Sequence, residues 1–444
     1  MRNIQNINET RKPVDSKIST ASKFNLSRWV VWVGFATLLL AAPMVFTSSL
    51  SQTMLSQMGI AIIVCLSFNI LLGQGGMLSF GHAVYAGMGS FFAIHALSIA
   101  GNGQWPIPVS MIPLVGGIGA ALLAILLGYV TTKKAAVPFA MITLGVGELI
   151  FAMSLMFPEF FGGEGGISGD RVVGSSPFGI NFGPQIQVYY LIAIYTFICT
   201  ALMFAFTQTP LGRMLNAVRD NPERVEFVGY DTRKVRYMAF IIAAFFAGIS
   251  GGLAALNFEI VTSEVVSTHR SGAYLLFTFL GGTTYFFGPI IGAILMVLAF
   301  VLLSELTKAW LLYLGLTFMF MVVYAPGGIA SLIMMNVRVA KFGRLKELIP
   351  SYIGLAIGAV IMLSGAAGMI EMVYHLNLQI SMNSEFNFLG VMLDAKGLSS
   401  WLGCIAAALV GLIIFEMIRR RTQRKWSAIQ NDIEQEVNRR EGLV

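Results

Sequence analysis

A single carboxylate, Glu148, interrupts the apolar run 137–157. An ionisable group at such depth is costly and usually faces a bundle interior or a cavity. A structural hydrogen bond to a neighbouring helix and a place along a solute route both fit it. No second acid lies deep in another apolar run, which disfavours a proton relay. A second polar group lies in Leu72–Gly87, LGQGGMLSFGHAVYAG, where Gln74, Ser79 and His82 offer hydrogen-bonding atoms between two apolar runs. Glycines there permit a tight turn with close helix approach, or a broken helix lining a pathway. The stretch Gln208–Tyr237 carries most of the internal charge. Thr209-Pro210 starts a helix whose Leu211, Met214, Leu215 and Val218 recur at helical spacing. Asn221-Pro222 ends it, and a second short helix closes at Gly229. This element is too polar to span a membrane and too apolar to lie free in water. It rests on lipid headgroups or docks on a partner.

The elements that must position these groups are membrane helices. Of 444 residues, 56% are hydrophobic and only 11% charged, and mean hydropathy is +0.75. A soluble domain carries nearer 25% charge, so soluble enzymes, nucleic-acid binders and disordered chains are excluded. Forty-seven glycines suit helices packed backbone to backbone. Cys65, Cys199 and Cys404 lie in apolar runs without metal-ligand or disulfide-framework spacing.

Runs of sufficient length predict spans at 29–46, 54–72, 80–100, 109–130, 137–157, 187–207, 237–256, 272–283, 286–303, 309–325, 351–370 and 399–418. The first is read as an uncleaved span rather than a signal peptide, because it contains Pro43 and lacks a small-residue cleavage site. Residues 272–303 are read as two passes, interrupted at Gly281-Gly282 and Gly288-Pro289. That choice places 25 of the 29 Lys and Arg residues on one side, with both termini. The positive-inside bias makes that side cytoplasmic. The expected fold is an all-α polytopic membrane protein, a ten-span core with two extra C-terminal helices. It divides into a cytoplasmic, disordered tail 1–28, a transmembrane domain 29–335 and an extension 336–444 with a basic cytoplasmic tail. Arg419-Arg420-Arg421 and Arg424-Lys425 anchor the last span to anionic lipid, and residues 426–440 are expected to form an amphipathic surface helix. No soluble catalytic domain fits, and G-x-x-x-x-G-K-[ST] is absent, so any ATP is bound by another subunit.

Four segments, in order, resemble the permease subunits of branched-chain amino-acid ABC transporters, including the related urea and amide importers. Leu72–Gly87 is similar to G-Q-[LV]-S-x-G-H-A-x-[FY]-x-G, with an insertion at Gly75-Gly76. Leu144–Ile150, LGVGELI, resembles a helix with a lone glutamate. Gly212, Arg213, Ala217, Arg219, Asp220, Glu226 and Gly229 match G-R-x-x-x-A-x-R-[DE] and the A-A-E-x-x-G that follows, whereas Arg224 and Val225 replace the usual small pair. Leu280–Ala293, LGGTTYFFGPIIGA, resembles L-G-G-x-G-[ST]-x-x-G-P-x-x-G-A. LGQGGMLSFG and LGGTTYFFG both follow an outside-to-inside pass, which hints at two parallel halves.

The resemblance implies an ATP-driven importer in the bacterial inner membrane. ATPases would dock through Gly212, Arg213, Arg219, Asp220, Glu226 and Gly229. Gln74, Ser79, His82, Glu148 and Ser271 would line the pathway. The external loop 158–186 contains Gly162, Gly163, Glu164, Gly165 and Gly166, similar to T-G-G-x-x-G-[LI]. It would meet a periplasmic substrate-binding protein, or act as a lid. A second homologous permease and membrane lipid complete the expected partners, with no nucleic acid. The chain would bind no cofactor and catalyse no reaction, ATP being used by the partner. The solute would be a branched-chain amino acid or a similar small neutral molecule such as urea or a short amide; near position 273, where an acid is usual, this chain has Ala273. The alternatives are a stand-alone ion-coupled carrier and a polytopic membrane enzyme. The latter needs clustered His, Asp or Cys, but the four histidines are scattered. His95 and His375 read as interfacial, and His269-Arg270 as a solvated loop.

Overall fold

The computed structural model describes residues 26–102, 107–172, 181–378, 385–388 and 391–440. Most of the predicted N-terminal tail therefore lies outside the described residues. Helices dominate: α1 (Leu26–Val45), α2 (Ser49–Asn69, continued by a π turn Ile70–Gln74), α3 (His82–Gly101), α4 (Ile112–Thr131) and α5 (Ala136–Met156). A one-turn α6 (Pro158–Phe161) precedes α7 (Gln185–Gln208), the short α8 (Pro210–Asp220) and α9 (Pro222–Phe227), and the long α10 (Thr232–Phe258). Then come α11 (Thr268–Gly281), α12 (Gly288–Leu298), a π turn into α13 (Ser304–Leu306), α14 (Trp310–Tyr324), α15 (Gly328–Lys341), α16 (Leu345–Leu378) and α17 (Leu398–Arg440). Strands are confined to two antiparallel pairs, β1 (Ile167–Ser168) with β2 (Ile260–Val261) and β3 (Glu385–Phe388) with β4 (Val391–Asp394).

Among the described residues nine helices are long and apolar enough to cross a membrane, or ten if α14 and α15, bent by 49°, count as one span. The chain is thus an all-α polytopic membrane protein. Nine of the twelve predicted spans correspond to such helices. Three fall short. The apolar part of α1 is Trp29–Val45. Helix α11 has 14 residues, about 21 Å, against a hydrocarbon core of about 30 Å. Helix α14 has 15 and needs α15 to complete a crossing. The predicted break in 272–303 is real: the chain runs from β2, at one end of α10, through α11 to Thr283 beside Gly73, at the other, and α12 then packs back against α11. A Cβ on Gly292 would lie 2.0 Å from the Phe277 carbonyl, so the two helices meet backbone to backbone.

The centre of the bundle is α2, α3 and α10. Most of α3 and α10 is buried, with Tyr85, Phe91, Phe139, Phe240 and Phe277 among the largest enclosed side chains. Small residues let these helices close: a Cβ on Gly251 would sit 1.8 Å from the Ala86 carbonyl. Helices α16 and α17 form a peripheral hairpin, fastened to the core where Thr307 Oγ1 and Tyr313 OH both donate to Glu371 Oε1. Helix α17 runs 43 residues, about 65 Å, without interruption. Residues 426–440 are therefore a continuation of the last span, not a separate surface helix. The stem turns Ile429 and Ile433 onto Val339 and Leu348, and that burial keeps it helical beyond the membrane.

Gly251→Ala is expected to lower thermal stability by about 1–3 kcal/mol through overpacking against Ala86. Gly403→Ala, with no atom within 4 Å of the added methyl, should be neutral or slightly stabilising. Thermal unfolding of the purified chain in detergent compares the two.

Candidate functional site

Helix α2 does not simply turn into α3. After the π turn the backbone leaves helical geometry at Gly75 and resumes only at His82. Gly76 has φ +61°, a left-handed conformation that a side chain disfavours. His82 then lies beside α2: its Nε2 is 2.9 Å from Ser67 Oγ, and its ring meets Phe68 edge-on at 5.0 Å. Ser67 is two turns above Gln74, so the stretch climbs back about 10 Å into the bundle before α3 begins. Met77, Ser79 and His82 are fully enclosed.

Neighbouring helices supply the hydrogen bonds that this irregular backbone lacks. The Phe80 amide donates to Thr143 Oγ1 of α5 at 3.2 Å. The Ala83 amide, in the first turn of α3, donates to Ser271 Oγ of α11 at 2.9 Å. Three predicted pathway residues, Ser79, His82 and Ser271, are thus gathered at one break, and Gln74 stands at its start. Thr143 was not singled out from sequence; a threonine in an apolar run carries no signal of its own. Asn69 Oδ1, Gln74 Oε1, Ser79 Oγ and His82 Nδ1 are buried without a protein partner. Buried polar atoms of this kind are normally met by water or by a ligand.

Glu148 stands apart from the expectation of burial. It lies on the outer face of α5 with Val137, Met141, Gly145 and Ala152, all exposed. Its Oε1 accepts from Thr268 Oγ1 at 2.5 Å, which ties it to the first residue of α11, three before Ser271. Helical spacing puts these residues on one stripe, so α5 carries a carboxylate in the middle of an otherwise apolar face.

The α8–α9 segment folds as its sequence dictates. Thr209 caps α8, accepting from the Gly212 amide, and Asn221 caps α9, accepting from the Arg224 amide. Gly212 packs on the Phe206 carbonyl, where a Cβ would come within 2.3 Å. Leu215 and Val218 are buried, while Arg213, Arg219 and Asp220 are exposed. Arg219 makes the contact of consequence. Its Nη1 donates to the Gly73 carbonyl, its stem covers Gly76, and Asp220 Oδ1 holds the guanidinium at 2.9 Å. Gly73 in turn lies against the Thr283 carbonyl, 2.5 Å from a notional Cβ. The two glycine-rich turns therefore meet beneath α8. Glu226 accepts from Thr232 Oγ1 at 2.9 Å, and Gly229, φ +90°, turns the chain from α9 into α10. Phe227, 90% exposed, and Val228, 69% exposed, form an apolar tip that the sequence reading passed over. Their position between two helix stops was the available signal. Asp231 caps α10, and the Lys234 amide, ahead of the Arg233 amide, holds its carboxyl below the usual range.

At the opposite end of α10, the loop Gly162–Gly166 tucks back onto the bundle. Phe161 is buried against Phe91, and β1 pairs with β2. Gly162 and Gly166 lie against backbone, while Glu164 and Gly165 form the exposed tip; Gly163 is half-buried. Arg171 staples this loop down, donating to the Leu256, Asn257, Phe182 and Gly183 carbonyls and facing Glu259 at 3.9 Å. Among the described residues no three His, Cys, Asp or Glu side chains are grouped to hold a metal ion.

Replacing Arg171 by Gln is expected to loosen the loop, read as faster protease cleavage within 162–183 while α8 stays protected. Asp231→Ala should lower the melting temperature at pH 7. The depressed pKa means the cap contributes fully above the ordinary value of 3.8 and is lost as pH falls through the lower folded value, so the gap between wild type and variant should narrow steadily as pH is taken below 3.8.

Residues 51–325 match the family described as "Branched-chain amino acid transport system / permease component". The chain is 28% identical over 297 residues to the high-affinity branched-chain amino acid transport system permease protein LivM of Escherichia coli K12, covering 61% of this chain and 67% of that protein. Its Salmonella typhimurium counterpart matches equally, at 28% over 297 residues, again 61% and 67%. A probable branched-chain amino acid transport permease protein LivM of Methanocaldococcus jannaschii is 24% identical over 316 residues, 61% of this chain and 90% of that protein. No solved structure matches. The matched region contains the break, α5, α8–α9 and both glycine-rich turns, and a carrier working alone is set aside. The chain belongs to the permease components of branched-chain amino-acid transport systems.

Proposed function

We propose that this chain forms part of the translocation pathway of an ATP-driven importer for branched-chain amino acids or a similar small neutral solute. ATPase subunits dock on α8–α9, where Arg213 and Asp220 are exposed and Phe227 and Val228 offer an apolar tip. A second homologous permease faces the α5 stripe, because a carboxylate in the middle of that stripe is costly against lipid and tolerable at a shared aqueous seam. A periplasmic substrate-binding protein meets the loop tip at Glu164 and Gly165. The chain sits in the bacterial inner membrane with both termini cytoplasmic, as the distribution of Lys and Arg favours. It binds no cofactor itself; ATP is consumed by the partner.

The observation that carries this reading is the grip of Arg219 on Gly73. Movement of α8 is passed directly to the broken stretch between α2 and α3. That stretch bears Ser79 and His82 and is pinned to α5 and α11 through Thr143 and Ser271. Alternating access then needs no chemistry on the solute. Displacing α8 pulls the break, and the break shifts the helices that border the seam.

Arg219→Ala is expected to leave subunit assembly intact and ATP hydrolysis within about threefold, while cutting uptake more than tenfold. Arg219→Lys, which keeps the charge but not the forked reach, should fall between them. Proteoliposome uptake and ATPase rates on the same preparation give the ratio. Equal loss of both activities, or neither, would remove the coupling role.

A further inference from the structure

Arg270 sits in the first turn of α11, and among the described residues its guanidinium has no ion pair or hydrogen bond. The acids nearest to it in sequence and on the facing helix are committed elsewhere or lie exposed. Glu148 is held by Thr268, Glu259 faces Arg171, and Glu264 is exposed. An arginine whose donors are unspent is available to an incoming anion. Here it lines a partly open cavity of about 50 Å³ between α2, α3, α10, α11 and β2. The other walls include Gly87, Ser90, Gly251, Ala254 and Tyr274. Ser90 Oγ is already spent on the Gly251 carbonyl at 2.8 Å, so Arg270 and Tyr274 are the donors left to meet a guest. The start of α11, capped by Ser267, adds a partial positive charge.

These features select an anion, and the volume selects its size. At about 50 Å³ the cavity is far smaller than the ~300 Å³ or more of a site that engulfs a whole small ligand, so it takes a compact group such as a carboxylate. We propose that Arg270 and Tyr274 form a carboxylate subsite that holds the α-carboxylate of the solute as it passes, with the side chain left outside the cavity. Planar, two-pronged recognition of carboxylate is what a guanidinium does best. The subsite adjoins Ser271, which caps α3, so occupancy bears on the same helix junction as the break. The proposal rests on the amino-acid import reading for the identity of the solute, but not for the anion site itself.

The test uses the full chain purified from native membranes with its accompanying subunits. Equilibrium binding of leucine, leucinamide and acetate is measured for wild type, Arg270→Gln and Arg270→Lys. The expected result is leucine and acetate binding by wild type, at least tenfold weaker leucinamide binding, loss of all discrimination in Arg270→Gln, and partial retention in Arg270→Lys. Acetate binding without leucine binding would keep the subsite and sink the amino-acid reading. Equal binding of leucine and leucinamide by wild type, or unchanged leucine binding in Arg270→Gln, would overturn the subsite.

Discussion

Backbone that leaves helical geometry inside a membrane must find its hydrogen bonds in protein or water. The stretch between Gly75 and His82 lives under that constraint, and the core is arranged around it. Thr143 from α5 and Ser271 from α11 each supply an acceptor to an amide the break would otherwise strand. Arg219 from α8 takes the carbonyl at its entrance. Three elements far apart in sequence are thereby tied to seven irregular residues. A shift of any one of them is felt by the others without a special transmitting pathway.

The packing around the break explains why it can be both held and moved. Helices α3, α4 and α10 close on one another through glycine and alanine, a stiff interior with little slack. Helix α11 is different: it is short, folded onto α12, and its first turn carries Thr268, Arg270 and Ser271. It therefore touches the carboxylate of α5, the small cavity and the cap of α3 at once. The peripheral hairpin α16–α17 joins this core through Glu371 at one end and through α15 at the other. It lies outside the region shared with the family.

Much of this was legible in the residues. The caps Thr209 and Asn221, the stop at Gly229 and the glycine-rich breaks follow from local chemistry, and they occur where the sequence places them. Hydropathy located nine of the spanning helices. It gave α11 as an ordinary pass, because an apolar run does not show that the first part of the crossing, residues 260–267, is a short strand and turn rather than α-helix. The lone glutamate was visible, but not its outward face: periodicity within one apolar helix does not say which side meets its neighbours. Arg270 read as loop charge because a basic residue at the edge of an apolar run carries no sign of a cavity behind it. The break's hydrogen-bond partners, 63 and 188 residues distant, have no local signal at all.

The account makes α8 and the broken stretch one mechanical unit. Amide hydrogen exchange in the assembled transporter, with and without a non-hydrolysable ATP analogue, tests this most directly. The account predicts that protection of residues 75–83 and of α8 changes together on nucleotide binding, and that Arg219→Ala leaves the change in α8 while abolishing it in 75–83. A nucleotide-dependent change confined to α8 in the wild-type protein would contradict it.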